Sequence, residues 1–312
     1  MRAARIHEAG APPRIDEAAE PQAADGRSTA RVRAVALNPL DLNIAAGRFY
    51  GGHPPLPYIP GSEAIVELAE RGKAWFFGDG AGVARDGTLA EYATVVEDRL
   101  IPLPDDADVT LAAALGIAGI AGWGAARRAR IASGDRVLVL GATGTAGSVA
   151  LQAARVLGAD HVVAAGRDRE RLARALELGA SATVQLDDGE LAARFNELCG
   201  GEGPTAVLDF LWNGPAVAAA EAAAPHARLV NVGQSAGPEA PLTSAAVRGK
   251  ELEVLGFSNF SRTPAELRDL YLELLALAHA GEIRVTVETF SLDEVDEAWR
   301  RQAAGAKSVV LI

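Results

Sequence analysis

The sequence predicts an α/β protein in which a doubly wound parallel sheet is joined to a second domain that is rich in β-strands. From about Val109 to Phe257, short apolar runs alternate with helical segments, which is typical of parallel strands covered on both faces. The residues on either side of this stretch favour shorter strands and turns. We therefore expect one domain at 113–258 and another at 1–112 with 259–312, formed from both chain ends.

In the first part of the chain, residues that favour strands alternate with polar ones between turn-forming residues. This pattern predicts strands at 29–37, 64–68 and 89–95, with a loop rich in proline, glycine and aromatic residues over 38–61. Pro102 and Pro104 mark the exit from this region.

Apolar runs in the second part predict the parallel strands, and helical periodicity resumes after them. The strands are expected at 137–140, 161–165, 206–209, 228–232 and 251–257. Helices at 264–280 and 292–303, the latter with Ser291 as N-cap, and strands at 285–290 and 308–312 complete the chain.

The strand at 251–257 should lie at the edge of the parallel sheet. An unpaired edge that carries Leu252, Val254 and Leu255 invites pairing with a second copy of the chain. The sequence therefore predicts a homodimer.

The turn after the strand at 137–140 is the most informative segment. Gly141, Gly144 and Gly147 precede an apolar helix, as at the start of a dinucleotide-binding unit, where glycine lets the backbone approach a pyrophosphate. The first glycine of the usual G-x-G-x-x-G is Ala142 here, and plain strand-to-helix turns share the pattern. The residues predicted to bind the cofactor at this turn are Gly141, Thr143, Gly144, Thr145, Ala146 and Gly147.

The end of the next predicted strand distinguishes between the two dinucleotides. NAD sites usually place a carboxylate there for the ribose hydroxyls, but this strand ends in Gly166 and Arg167, with Arg171 one helical turn later. Guanidinium groups suit a 2′-phosphate, so we predict NADPH, bound by these three residues. The alternative is that this segment is only a solvated, charged helix start. Asp168 is either a helix N-cap or a ribose ligand.

Composition excludes several other classes of protein. The net charge of −11 opposes nucleic-acid binding, and no apolar run reaches the about 18–20 residues that span a bilayer. The N-terminal residues lack the apolar core of a signal peptide, so we expect a cytoplasmic protein. Cys199 is the single cysteine, which excludes an intrachain disulfide and any metal site with several cysteines.

Several motifs in a shared order resemble the medium-chain dehydrogenase/reductase superfamily, in particular its zinc-free quinone oxidoreductase branch. Residues 37–41 resemble the motif L-N-P-x-D, residues 57–63 the segment P-x-x-x-G-x-E, and residues 87–92 the motif G-x-x-A-E-Y. Further segments that carry the resemblance lie at 46–50, 118–125 and 133–137. The resemblance implies a Rossmann domain, a GroES-like catalytic domain from both chain ends, and dimers joined at their sheet edges.

The departures from the zinc-dependent members of that superfamily concern the metal. Where those enzymes have G-H-E with a ligating histidine, this chain has Gly61-Ser62-Glu63, and a serine hydroxyl is a poor zinc ligand. No cysteine stands near 38–43 or 116, and the structural-zinc loop is absent. We therefore expect no metal. The segment between Leu68 and Gly87 is also shorter than usual.

Without a metal to polarise a carbonyl group, the acceptor should be one that takes hydride readily. The resemblance implies the same acceptor, a quinone or an α,β-unsaturated carbonyl. The resemblance gives Asn38 and Tyr50 as the predicted groups that contact it, with Tyr58 and Asp41 as weaker candidates. Asn38 could instead be a turn residue before Pro39, and Tyr50 only an aromatic side chain that fills the loop. His53 is interpreted as a loop residue.

Two later loops complete the predicted cofactor site, since ligands bind at the carboxyl ends of strands in open α/β sheets. The resemblance places both loops beside the nicotinamide and its ribose. Lys307 resembles the tail lysine of the family's G-K-x-V pattern and is either a residue that reaches the cofactor or a solvated surface lysine. The loop residues are Val232, Gly233, Gln234, Phe257, Ser258 and Asn259.

Two alternative functions remain open at this point. An enoyl-thioester reductase of secondary metabolism would use the same hydride chemistry on a thioester. A protein that binds the cofactor for regulation and carries out little catalysis would share the fold, because fold alone does not decide function.

Overall fold

The computed structural model describes residues 1–23, 26–49, 51–187 and 189–312. It divides into two compact units. The first contains Met1–Ile117, Pro264–Arg268 and Val285–Ile312, and the second contains Ala118–Thr263 and Asp269–Arg284. The expected domains differ from these units at their boundaries. Residues 269–284 were expected in the domain formed from both chain ends, but they belong to the second unit.

The strands of the first unit are β1 (Arg2–Arg5), β2 (Arg14–Glu17), β3 (Arg27–Ala36), β4 (Glu63–Leu68), β5 (Gly72–Phe77), β6 (Tyr92–Val96), β7 (Leu100–Pro102), β14 (Glu288–Ser291) and β15 (Ser308–Leu311). They form a mixed sheet with strand order β14-β15-β3-β4-β5-β7, in which β6 pairs with β3, and a separate antiparallel pair of β1 and β2. The chain ends meet in the mixed sheet, because β15 pairs antiparallel to β3 through Val310 and Val35.

The second unit contains a parallel sheet with strand order β10-β9-β8-β11-β12-β13. Its strands are β8 (Arg136–Leu140), β9 (His161–Gly166), β10 (Ala182–Gln185), β11 (Ala206–Asp209), β12 (Arg228–Asn231) and β13 (Glu253–Gly256). The edge position expected for 251–257 is confirmed, since β13 ends this order.

Helices cover the remaining regular segments. They are α1 (Pro39–Ala45), α2 (Val109–Ala114), α3 (Ile117–Arg128), α4 (Thr145–Val156), α5 (Arg169–Glu177), α6 (Leu191–Leu198), α7 (Asn213–Ala222), α8 (Ser244–Gly249), α9 (Pro264–His279) and α10 (Val295–Ala303). Ser291 forms a capping box with Glu294 before the 3-10 turn Leu292–Glu294, which leads into α10. In the described ranges, no helix is long and apolar enough to cross a membrane.

Each unit has its own apolar core. In the first, buried residues of β3, β4 and β5 pack with Trp299 of α10. In the second, the apolar residues of β8, β9 and β11 are fully buried and pack with the alanine-rich face of α7. The buried strands of the second unit explain why short apolar runs predicted them.

Candidate active site

The glycine turn of the second unit has the geometry of a pyrophosphate cradle. Gly141 follows β8 with a φ of +83°, a left-handed conformation that favours glycine. A Cβ on Gly147 would lie 2.1 Å from the carbonyl oxygen of Gly141, so only glycine allows this approach. Gly144 is the N-cap of α4, and the first N–H groups of that helix are available to an anion.

The end of β9 packs against this turn. A Cβ on Gly166 would lie 2.6 Å from Thr143 Cγ2, so the structure brings these two predicted cofactor residues together. Arg167, the next residue, is exposed, and among the described residues its guanidinium makes no hydrogen bond or ion pair. It is therefore available to a ligand at this edge.

Asp168 and Arg171 are engaged with each other. The Asp168 carboxylate caps α5 by accepting the backbone N–H of Arg171 at 3.1 Å, and its other oxygen lies 3.4 Å from Arg171 Nε. Of the two interpretations of Asp168, the structure shows the N-cap. Arg171 is accordingly less available for a phosphate than Arg167.

A buried carboxylate that the sequence analysis did not single out lies where β11 ends. Asp209 is 0% exposed, and its Oδ1 accepts the backbone N–H groups of Leu211 and Trp212, both at 2.9 Å. Its Oδ2 accepts from Asn231 Nδ2 at 3.0 Å. Burial raises the pKa of this carboxyl, and the hydrogen bonds from Trp212, Asn231 and Leu211 oppose that shift.

The loops after β12 and β13 hold the remaining predicted cofactor residues. Asn231 also donates to the carbonyl oxygen of Gly233 at 2.8 Å, which fixes the start of the segment 232–234. The Phe257 ring is buried against Gly124, where a Cβ would lie 2.1 Å from Phe257 Cζ. That ring therefore serves packing, and of the three predicted residues of its loop, Ser258 is the exposed one.

The first unit contains a buried polar cluster around α1 and the start of β4. Asp41 accepts the backbone N–H of Asn38 at 2.8 Å, and its other oxygen accepts the backbone N–H and the hydroxyl of Ser62 at 2.9 and 2.8 Å. All three residues are at most 2% exposed. Burial raises the pKa of the Asp41 carboxyl, and the hydrogen bond from Ser62 is the largest opposing effect.

Glu63 lies at the centre of the same cluster and is fully buried. Its Oε1 accepts from Asn38 Nδ2 at 2.7 Å, and its Oε2 accepts from Trp75 Nε1 at 2.7 Å and from the backbone N–H of Ile117 at 2.8 Å. A Cβ on Gly116 would lie 1.7 Å from Oε2, so glycine is required there. Burial raises the pKa of Glu63 despite these bonds and the charge of Lys307.

Lys307 supplies the positive charge of this cluster. Its Nζ donates to the carbonyl oxygen of Leu37 at 3.1 Å and to Asn38 Oδ1 at 2.9 Å, and it lies 4.0 Å from Glu63 Oε1. At 3% exposure, Lys307 is not a solvated surface lysine, and that interpretation was wrong. Burial lowers its pKa, against the charges of Glu63 and Asp41. Two of the three N–H groups of the ammonium are therefore used within the cluster.

The predicted substrate contacts lie in different surroundings. Asn38 Nδ2 donates hydrogen bonds to Ala36 O at 3.1 Å and to Glu63 Oε1. A hydrogen bond from this amide to a substrate would therefore replace one of these two bonds. The role of Asn38 before Pro39, as N-cap of α1, is the one that the structure shows. Tyr50 lies outside the described residues.

Tyr58, the third predicted contact, is buried at 1% exposure, and its ring stacks on His53 with centroids 6.2 Å apart. Within the part of the chain that the structure describes, its hydroxyl has no hydrogen-bond partner. Burial, and then the charge of Asp41, raise the pKa of this hydroxyl. His53 is exposed, as expected of a loop residue.

The residues present do not fit a zinc ion. In the described ranges, no three His, Cys, Asp or Glu side chains lie together as metal ligands would. Ser62 and Asp41 already bond to each other, and Cys199 is buried in the second unit, where burial raises the pKa of its thiol to about 12.

Comparisons with known proteins agree with this architecture. Residues 24–105 match the family model of the alcohol dehydrogenase GroES-like domain, and residues 146–277 match the model named zinc-binding dehydrogenase. Quinone oxidoreductase of Pongo abelii is 28% identical over 308 residues, which cover 96% of this chain and 92% of that protein. The predicted α/β fold with a GroES-like domain is confirmed.

Two further relatives bear on function. The quinone oxidoreductase of Thermus thermophilus, which was also solved in complex with NADPH, superposes with a TM-score of 0.80 at 28% identity, with both chains fully covered. A phenolphthiocerol/phthiocerol polyketide synthase of Mycobacterium tuberculosis is 28% identical over 292 residues, which cover 88% of this chain and 13% of that protein.

Proposed function

Because this chain belongs to the medium-chain dehydrogenase/reductase superfamily, we propose that it is an NADPH-dependent, metal-independent reductase of quinones or α,β-unsaturated carbonyls. The observation that carries the proposal is the end of β9, where Arg167, unpaired among the described residues, follows Gly166, and the neighbouring carboxylate of Asp168 is already engaged. The resemblance to quinone oxidoreductases supports the acceptor class.

The choice of NADPH rests on charge and on the engagement of Asp168. A ribose 2′-hydroxyl would need a free carboxylate acceptor, and the Asp168 carboxylate is held by α5 and Arg171. A 2′-phosphate instead needs donors, and Arg167 offers a planar guanidinium with parallel N–H groups. The glycine turn suits a pyrophosphate, because Gly144 is the N-cap of α4 and carries no side chain that would hold an anion away from the first N–H groups of that helix.

Metal independence rests on the polar cluster of the first unit. Ser62 stands where the resemblance expects a histidine ligand, and its hydroxyl donates to Asp41. Lys307 already brings positive charge to within 4.0 Å of Glu63, so a divalent cation beside this carboxylate would be repelled by the ammonium.

The chemistry follows from these residues. The reduced nicotinamide, when bound, supplies the hydride. Since the residues of the first unit do not fit a zinc ion, the acceptor must be activated by its own conjugation and by hydrogen bonds to the oxygen that gains negative charge. Tyr50 and Tyr58 are the proposed donors, and Lys307 holds Asn38 at the start of α1.

Enoyl-thioester reduction is the second candidate, because the polyketide synthase relative matches 88% of this chain. The hydride chemistry would be the same, on a conjugated thioester. The third possibility, a regulatory protein that binds the cofactor, predicts binding without turnover.

The test measures loss of NADPH absorbance with 1,4-benzoquinone, a simple enone and a crotonyl thioester, before and after exhaustive chelation. We expect turnover of at least one of these acceptors with NADPH in preference to NADH, unchanged by chelation, and no stoichiometric zinc by metal analysis. Activity that disappears on chelation and returns with zinc would refute metal independence. NADPH binding without turnover of any acceptor would favour the regulatory alternative.

A further inference from the structure

We propose that Asp209 is a positioning residue for the nicotinamide half of the cofactor, because its buried carboxylate joins the loops after β11 and β12 into one platform. The proposal rests on the cofactor binding proposed above. It adds a residue outside the glycine turn and outside the predicted cofactor loops.

The two loops lie beside the glycine turn, on the side opposite Arg167. In the strand order, β9 with Arg167 at its end lies on one side of β8, while β11 and β12 lie on the other. A Cβ on Gly141 would lie 3.0 Å from Leu211 Cδ2, so the loop after β11 packs directly on the turn. A dinucleotide with its pyrophosphate on the turn and its 2′-phosphate at Arg167 therefore extends its nicotinamide half over β11 and β12.

The carboxylate joins the two loops through a continuous set of hydrogen bonds. Asp209 Oδ1 accepts hydrogen bonds from the backbone N–H groups of Leu211 and Trp212, and Oδ2 accepts one from Asn231 Nδ2. Asn231 Nδ2 also donates to Gly233 O. The backbone adds a further connection, because Ala236 N donates to Leu211 O at 2.9 Å. The carboxylate therefore joins the loops after β11 and β12 through side chains, as does the Ser235 hydroxyl, which donates to Phe210 O at 3.1 Å.

The backbone of Trp212 shows that this carboxylate fixes a conformation the chain would not otherwise favour. Trp212 has a φ of +61° and a ψ of −160°, in a region that essentially only glycine occupies. The Asp209 bond to its N–H holds the residue there, immediately before α7. Such a strained conformation persists only where the surrounding contacts hold it in place. Strained backbone residues are typical of ligand sites.

Asp209→Asn separates the functions of the carboxylate. The amide oxygen of asparagine can still accept the N–H groups of Leu211 and Trp212, but its NH₂ group would face the NH₂ group of Asn231. The hydrogen bond between Asp209 and Asn231 is lost, while the local turn and the bonds from Ser235 and Ala236 to the loop after β11 are kept. Asn231→Ala breaks the same connection from the other side and leaves Asp209 intact. Glu282→Gln, an exposed carboxylate of the second unit, is the matched control.

Calorimetry measures the Kd of NADPH, NADH and adenosine 2′,5′-bisphosphate for each variant. We expect Asp209→Asn and Asn231→Ala to weaken the binding of both full dinucleotides by about tenfold, because a loop that the carboxylate no longer holds must be ordered when the cofactor binds. The bisphosphate, which carries only the half bound at Arg167, should bind these variants and the control as it binds wild type. A merely structural role would instead weaken the bisphosphate together with the dinucleotides.

Three results overturn the proposal. Wild-type affinity for NADPH in both variants would mean that the carboxylate does not position the cofactor. Equal losses for the bisphosphate and the dinucleotides would show a general loss of the fold. If wild type itself binds no NADPH, the proposed function fails and this proposal fails with it, whereas the first two results leave NADPH binding standing.

Discussion

Lys307→Met tests the buried cluster of the first unit, because it removes the ammonium and keeps most of the side-chain length. In the native fold Lys307 Nζ lies 4.0 Å from Glu63 Oε1, with both side chains almost completely buried. Two unit charges at that distance attract by about 4 kcal/mol at an effective dielectric constant near 20. Removing one member of such a pair leaves an uncompensated buried charge, so the free energy of unfolding should fall by about 3–5 kcal/mol at neutral pH.

A double-mutant cycle with Glu63→Gln isolates the charge interaction. Glu63→Gln alone also breaks the pair and disturbs the acceptor of Trp75 and Ile117, but the double variant contains neither charge. The two single losses should therefore exceed the loss in the double variant by about 2–3 kcal/mol. Lys73→Met is the matched control; its exposed ammonium donates to Asp105 O, and its removal should cost less than about 1 kcal/mol.

The same variants should show a defined dependence on pH. Burial raises the pKa of Glu63 above its ordinary value of 4.5, and the charge of Lys307 lowers it. Without the lysine the folded-state pKa rises further. The folded protein then binds more protons than the unfolded chain, so stability is lost as pH rises from about 4.5 through the raised value. Lys307→Met should accordingly be less destabilised at mildly acidic pH than at alkaline pH.

Urea denaturation at both pH values measures these differences as shifts in midpoint at constant slope. Additive single-variant losses, or a loss in Lys307→Met that is the same at both pH values, would refute the reasoning. The first result would mean that the two charges do not interact, and the second that Glu63 does not titrate in this range.

Three other variants give separate tests. Arg167→Ala should raise the Kd of NADPH by about ten- to a hundredfold and leave NADH unchanged, while Arg171→Ala should have a smaller effect because Asp168 already engages it; equal wild-type affinities for NADH and NADPH would contradict this. Val254→Lys on the exposed edge strand β13 should turn a dimer into a monomer by light scattering, and a monomeric wild type at micromolar concentration would exclude this interface. Tyr58→Phe removes a buried hydroxyl without a partner in the described ranges, so it should raise the unfolding free energy by about 1 kcal/mol and lower kcat; decreased stability would show a partner for the hydroxyl.

The parallel strands were the most predictable part of the fold, because burial on both faces makes them continuously apolar. The strand at 206–209 agrees with β11 at both ends. The predicted edge strand at 251–257 is longer than β13, because Glu251 has a φ of +52° and Leu252 N–H bonds back to Val247 O. Positive φ at a residue other than glycine gives no signal in a sequence, so this boundary could not be predicted.

The GroES-like unit was harder to predict because pairing between distant residues sets its strands. β5 was interpreted only as a shortened segment, although it pairs along its length with β4 after a turn at Gly72. Similarly, β14 begins at Glu288 rather than 285, where its pairing with Ser308 of β15 starts. The preference of single residues for strands does not predict which residues of two strands pair with each other.

The two buried polar networks were missed for a common reason, and a common signal could have found them. Glu63 stands directly before the apolar run Ala64-Ile65-Val66, and Asp209 ends the apolar run of β11. A charged residue next to such an apolar run is a candidate for burial, although Arg136 at the start of β8 is only half-buried, and a buried charge needs partners. The sequence therefore indicates that such partners exist, while only the fold shows that they are Lys307 in one case and Asn231 in the other.

The positions of these networks connect the fold to the proposed activity. In the first unit, Lys307 and Glu63 fix Asn38, which is the N-cap of α1, so the segment predicted as a loop over 38–61 begins with a helix. In the second unit, Asp209 fixes both loops beside the glycine turn. Burying charge at these positions costs desolvation energy that an apolar side chain would avoid. The hydrogen bonds of the buried groups hold the neighbouring backbone in one conformation. A hydride acceptor and a dinucleotide both need such loops held in place, because transfer requires the reacting atoms within a narrow range of distance and angle.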